Sequence, residues 1–236
     1  MPEPLSVAVA QPRCVAHDVA ANARAHAAAI RGAGARVLVF PELSLTGYEL
    51  DAAPVDPADP RLTPITEACA GTGTVALAGA PVAGPDGAVF IAVLAFDGPA
   101  APAVAYRKMY LGDEEATRFT PGPEPCMITV DGWRLGLAVC KDTGVPAHAA
   151  ATAALGVDAY LAGTVKGRDE AALQHERARA IATRHRLWVA VASFAGPTGD
   201  GYDQTAGRSG IWTPDGILVA GTGPRPGDVA SAAFKK

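Results

Sequence analysis

Along the chain, short apolar runs rich in β-branched residues alternate with Ala-rich stretches whose charges fall at helical spacing. The runs cover residues 6–10, 36–40, 74–78, 89–95, 134–139, 159–162, 188–193 and 217–220. Several are apolar on consecutive residues instead of every second one, the pattern of strands covered on both faces. Helices are expected at 17–31, 146–155 and 170–186, with Gly34, Gly71 and Gly156 where C-terminal caps belong. The tripeptide "PDG" occurs at 85–87 and again at 214–216, and such a turn folds one strand back on the next as a hairpin.

These elements order into two β-α-β units, 6–40 and 134–162, each followed by hairpin-like strands. Two similar halves with helices outside imply that each sheet covers one face of the other, so that every strand is buried twice. The expected fold is α/β: a four-layer α-β-β-α sandwich with two mixed sheets, in a single domain spanning 1–236. The Pro- and Gly-rich stretches at 52–60 and 98–102 are short enough to be loops inside that domain.

Composition narrows the function classes. The chain has 236 residues, 49% apolar and 19% charged, which suits one well-packed core. Its 20 basic and 24 acidic side chains give a formal net charge of −4 with no basic block, so neither nucleic acid nor an anionic membrane surface is an expected partner. No apolar run approaches the roughly 18 residues of a membrane span, and residues 1–5 lack the pattern of a signal peptide. The four cysteines (Cys14, Cys69, Cys126 and Cys140) lie far apart without a C-x-x-C pair. Reduced thiols, and hence a cytoplasmic protein without a zinc site, are expected.

Three polar residues stand at strand ends. "RVLVFPE" delivers Glu42, "AVAYRK" delivers Lys108 and "RLGLAVC" delivers Cys140. The C-terminal ends of strands are where α/β folds assemble their sites, because loops there vary while the sheet stays rigid. Singly, each has an ordinary reading: a turn carboxylate, an edge charge, a packing thiol. Together they form a reaction set. A base or a nearby positive charge turns a thiol into a nucleophile, and Glu42 is placed to be that base and later to protonate a departing nitrogen. Lys108 and the backbone N–H of Lys141 are placed to stabilise an oxyanion. That chemistry needs no metal and no cofactor.

"FPELSLTGY", "YRKMYL" and "GLAVCKD", in that order, resemble the three signature blocks of the nitrilase (carbon–nitrogen hydrolase) superfamily. The resemblance runs from "VAVAQP" at 7–12 to "GRSGIWTPDG" at 207–216. It implies a Glu42–Lys108–Cys140 triad that hydrolyses a non-peptide C–N bond through a covalent thioester, and a homodimer or higher homo-oligomer. In "DEEATRFTPG" it also implies a second glutamate four residues before Phe119, which is Glu115, with the task of orienting Lys108. Tyr48 is a candidate pocket wall, while Trp188 is read as core and Cys14, Cys69 and Cys126 as packing thiols. His148, His175 and His185 fall in helical segments at spacings that give Cys140 no histidine partner.

Elsewhere the pattern departs from the family. Many amidases of this kind read C-x-D-x-R-F-P-E after the nucleophile, whereas here Gly144, Val145 and Ala147 replace the Arg, Phe and Glu. Tyr110 stands before Leu111 where His is frequent. The missing Arg argues against an N-carbamoyl amino acid as substrate, and Lys141 is either a solvated side chain or a contact for an acidic substrate. A small amide is the leading expectation; nitrile hydrolysis, acyl transfer to an amine and a catalytically silent binding or assembly role stay open.

Overall fold

The computed structural model describes residues 3–236. The first half runs β1 (Leu5–Ala10), α1 (Val19–Ala33), β2 (Val37–Val39), α2 (Thr63–Thr72), β3 (Val75–Ala83), β4 (Val89–Asp97) and β5 (Ala103–Arg107). The second runs β6 (Met127–Val130), β7 (Trp133–Val139), α3 (Pro146–Ala154), β8 (Ala159–Thr164), α4 (Ala171–His185), β9 (Trp188–Ser193), β10 (Gly210–Trp212), β11 (Leu218–Gly221) and β12 (Val229–Phe234). Two six-stranded sheets result, ordered β12-β1-β2-β3-β4-β5 and β11-β10-β9-β8-β7-β6. In each, three central strands are parallel and the flanking ones antiparallel, as expected of mixed sheets.

Consecutive residues of a strand face different apolar layers, which is why the sequence does not alternate. On β1, Val7 and Val9 enter the layer between the sheets while Ala8 and Ala10 pack beneath α1 and α2. On β8, Leu161 faces the other sheet, whereas Tyr160 and Ala162 lie under α3 and α4 beside Ala178 and Ile181. Helices outside and sheets face to face make the expected four layers.

The "PDG" at Pro85–Gly87 joins β3 to β4 and the one at 214–216 joins β10 to β11, both as antiparallel hairpins. Gly34 and Gly156 adopt the left-handed conformation after α1 and α3. Gly71 does not: it lies inside α2, and Gly73, at φ +69°, ends that helix. Helix α2 itself and strands β6, β10 and β12 were not among the predicted elements. The last of these matters for the topology, because β12 pairs with β1 from Leu5↔Phe234 to Ala10↔Val229.

Candidate active site

Glu42 comes just after β2, where the chain turns between the two sheets. Gly79 on β3 and Gly163 on β8 flank that turn. A Cβ at Gly79 would lie 2.7 Å from the Pro41 carbonyl oxygen, and one at Gly163 would lie 2.6 Å from the Phe40 carbonyl oxygen. Only glycine lets the backbone that carries Glu42 pass there. Leu43 takes φ +48°, and the Glu42 carboxyl is fully buried.

Lys108 directly follows β5, pinned by its N–H to the Ile91 carbonyl (2.8 Å). Its side chain, 1% exposed, donates from Nζ to Glu42 Oε1 at 2.6 Å and to Glu115 Oε1 and Oε2 at 2.6 and 2.7 Å. Three donors meet three carboxylate oxygens, so the ammonium has no proton to spare. Glu115 sits in the short turn Glu115–Thr117 and also accepts from Gly112 N–H (2.6 Å) and the Tyr48 hydroxyl (2.7 Å). Tyr48 therefore belongs to the cluster through Glu115. The second oxygen of Glu42, Oε2, is buried with no partner.

Cys140 follows β7 in a left-handed conformation, φ +42°, uncommon for a residue with a side chain. Its Sγ lies 3.1 Å from the Val165 carbonyl at the end of β8. Two residues on, Asp142 turns back and fixes this corner, accepting from Val139 N–H (2.9 Å), Tyr110 N–H (2.9 Å) and the Tyr106 hydroxyl (2.8 Å). Tyr106 precedes Lys108 by two residues, so Asp142 ties the thiol's turn to the lysine's strand. The Tyr106 hydroxyl also meets His148 Nε2 at 2.9 Å, and His148 Nδ1 meets the Tyr160 hydroxyl at 2.9 Å. Because Tyr106 donates to Asp142, Nε2 carries the histidine proton and Nδ1 accepts from Tyr160. Sequence reasoning missed this relay, although Tyr106 and Asp142 stand in the quoted motifs.

Electrostatics separates the two carboxyls. Burial, reinforced by the Glu115 charge, pushes Glu42 up to about 7 against the pull of Lys108. Glu115 is also raised by burial, but Lys108, Gly112 N–H and Tyr48 bring it below its ordinary value. Burial lowers the Lys108 amine, yet Glu42, Cys140 and Glu115 outweigh it and hold the ammonium charged. Burial and then Glu42 push the Cys140 thiol up to about 12, so the sulfur keeps its proton at neutral pH.

The remaining expected residues fall elsewhere. The Lys141 side chain, 48% exposed, donates to the Leu111 carbonyl (2.6 Å) and approaches Asp113 at 3.8 Å, so it serves the surface reading. Trp188 stacks on Phe234 with ring centroids 4.6 Å apart. His175 contacts the Arg208 carbonyl at 3.0 Å, and Cys14, Cys69 and Cys126 are free thiols. At Gly144, where the family pattern has Arg, a Cβ would lie 2.7 Å from the Arg177 guanidinium carbon; a cation from α4 fills that space.

The profile of the carbon–nitrogen hydrolase family matches residues 6–235. A protein from Pseudomonas protegens named "Hydrolase in pqqF 5'region" is 30% identical over 214 residues, covering 86% of this chain and 73% of its own. Among solved structures, the NitN amidase from Nesterenkonia sp. AN1 superposes with a TM-score of 0.86 at 25% identity, covering 98% of this chain and 93% of that one. A variant of that amidase in complex with butyramide gives a TM-score of 0.85 at 26% identity, covering 98% and 90%.

Proposed function

The chain belongs to the carbon–nitrogen hydrolase family of the nitrilase superfamily, and on that premise we propose that it hydrolyses small amides through a thioester on Cys140. The observation that carries this reading is the fully buried, unpartnered Glu42 Oε2, in a carboxyl paired with Lys108 at 2.6 Å and near enough to Cys140 for its charge to raise the thiol. A general base has to stand within reach of the proton it takes, with a pKa near the working pH, and Glu42 at about 7 meets the second of these demands.

In this mechanism the sulfur attacks the amide carbon as its proton passes to Glu42. The carbonyl oxygen becomes an oxyanion, stabilised by the Lys141 backbone N–H and the charge of Lys108. Because the Lys108 donors already serve carboxylates, its part is mainly electrostatic. Glu42 then gives the proton to the leaving nitrogen, and ammonia departs as the C–N bond breaks. Water, deprotonated by the same carboxylate, attacks the thioester and releases a carboxylic acid with the thiol restored. Glu115, held by Tyr48 and Gly112, keeps Lys108 oriented throughout. The butyramide held by the related amidase supports a short acyl chain, and the whole chain acts as one domain.

The test is ammonia release from a panel of C2–C5 amides, with intact mass of the rapidly quenched enzyme. An acyl increment located on Cys140 is expected. Absence of ammonia from every amide, or an increment on another cysteine, overturns the reading.

A further inference from the structure

Lys108 and Cys140 come from different sheets: Lys108 follows β5 of the first, and Cys140 follows β7 of the second. Apolar packing between sheets is non-directional, so by itself it sets the gap between the two groups loosely. Hydrogen bonds that cross from one sheet to the other fix such a gap. Asp142 accepts two of them, from the Tyr106 hydroxyl (2.8 Å) and the Tyr110 N–H (2.9 Å), two residues to either side of Lys108. A third, from Val139 N–H (2.9 Å), anchors the same carboxylate to the residue before Cys140.

A hydroxyl rotates freely unless its surroundings direct it. The Tyr106 oxygen accepts from Met109 N–H (3.3 Å) and from His148 Nε2 (2.9 Å), so its own proton is left to meet the Asp142 carboxylate. His148 is fixed in turn by the Tyr160 hydroxyl on β8 (2.9 Å), and its ring lies edge-on to Tyr110 with centroids 6.2 Å apart. Burial lowers the His148 imidazole against the pull of Asp142, which favours the neutral ring this pattern needs.

Asp142, His148 and Tyr160 are wholly buried and Tyr106 is nearly so, although the layer around Tyr160 is otherwise apolar, with Ala138, Ala149 and Ala162 beside it. Burying four polar side chains costs more than filling the same space with hydrocarbon. What a fully satisfied network gives in return is a single, rigid geometry. None of the four has a reacting role in the proposed mechanism.

We propose that His148 and Tyr106 are positioning residues for the amide hydrolysis: the histidine locks the tyrosine hydroxyl onto Asp142, and that bridge sets the Lys108 ammonium against the Cys140 turn. This rests on the amidase reading and deepens it. A misplacement of about 1 Å in such a site costs about 100-fold in rate, which is the scale on which the bridge acts.

The experiment compares Tyr106→Phe, His148→Leu, their double variant and His148→Gln with the wild type, on whichever C2–C5 amide the wild type hydrolyses fastest. Rates are referred to the folded fraction found by urea unfolding. Tyr106→Phe and His148→Leu should each lower kcat by about 10- to 100-fold with KM little changed. The double variant should be no slower than Tyr106→Phe alone, because both substitutions break one chain of contacts. His148→Gln, whose carboxamide offers a donor and an acceptor as the ring does, should recover much of what leucine loses. Alkylation of Cys140 by iodoacetamide is a readout independent of turnover, and it should slow in the same variants because Lys108 draws that thiol down. Losses that match the folded fraction, that appear in KM alone, or that multiply in the double variant overturn the proposal while leaving the amidase reading intact. A wild type that releases no ammonia from any of the amides overturns that reading instead, and the alkylation rates then decide the positioning role.

Discussion

Glu42 and Glu115 reach the same ammonium, each with an oxygen 2.6 Å from Lys108 Nζ, yet their carboxyls are driven in opposite directions. The difference lies in the remaining oxygens. Glu115 has Gly112 and Tyr48 as further donors, whereas Glu42 has an oxygen with none. Lys108 and Glu115 therefore form a standing ion pair, and Glu42 is the group free to exchange a proton near neutrality. In the proposed mechanism one buried lysine thus divides two similar side chains into a support and a base.

The acid limb of kcat/KM should follow Glu42, with activity rising as pH climbs through about 7. Glu115→Gln removes a charge that raises Glu42 and frees Lys108 to pair with it; both effects have the same sign. The limb should move to lower pH while turnover falls, and a pH–rate profile of the variant reads both. An unmoved or raised limb would show that Glu42 is not the titrating group.

For stability the same carboxyl acts in the opposite sense. Its folded value, about 7, exceeds its ordinary 4.5, so the native state holds the proton more tightly. This contribution favours folding fully below about 4.5 and is lost as pH rises through about 7. Glu42→Gln should flatten that part of the pH dependence of Tm and stop hydrolysis, and urea unfolding at pH 4 and 8 gives the comparison.

Lys108→Met should do more than slow the reaction. It strands two buried carboxylates, and breaking a buried pair by removing one partner costs about 3–5 kcal/mol. Adding Glu42→Gln and Glu115→Gln to the same chain should recover much of the loss in chemical denaturation. If the single variant unfolds like the wild type, the carboxylates do not depend on that ammonium.

Cys140→Ala should leave the protein folded and inactive, because one small side chain replaces another. Serine at Cys14, Cys69 or Cys126 should retain activity, as those thiols stand outside the cluster. Thiol alkylation rates assayed beside ammonia release separate the four.

Gly163→Ala tests how Glu42 is held. The new methyl would press on the Phe40 carbonyl and Glu42 N–H, and overpacking of this kind costs about 1–3 kcal/mol. A drop in kcat larger than the drop in stability accounts for is expected; unchanged kcat would show that the turn tolerates displacement.

The clustering of Glu42, Lys108 and Glu115 follows from a pattern visible in the sequence, where Glu42, Lys108 and Cys140 each end an apolar run and Glu115 stands four residues before Phe119. What escaped were features that exist only across the fold. Gly79 and Gly163 look like ordinary strand glycines until the turn carrying Glu42 is seen to pass both. Val165 looks like one more buried valine, and nothing local to it says that its carbonyl faces a thiol 25 residues back. Among the elements, β10 has three residues and β12 an Ala-rich run with an exposed face, so neither has the apolar density that marked the others. Helix α2 was hidden by a Pro in its first turn and by glycines at 71 and 73.

The pairing of β12 with β1 sets an order on biosynthesis. A nascent chain can lay down β1 to β5 early, but the outer edge of β1 has no partner until residues 229–234 leave the ribosome. Until then an Ala- and Val-rich strand presents open hydrogen-bonding groups, a template for pairing with another chain. Closing that edge joins residues more than 200 positions apart, and such long-range closure is slow. During that interval the edge is open to pairing with another chain, and loss of the last strand would make that exposure permanent.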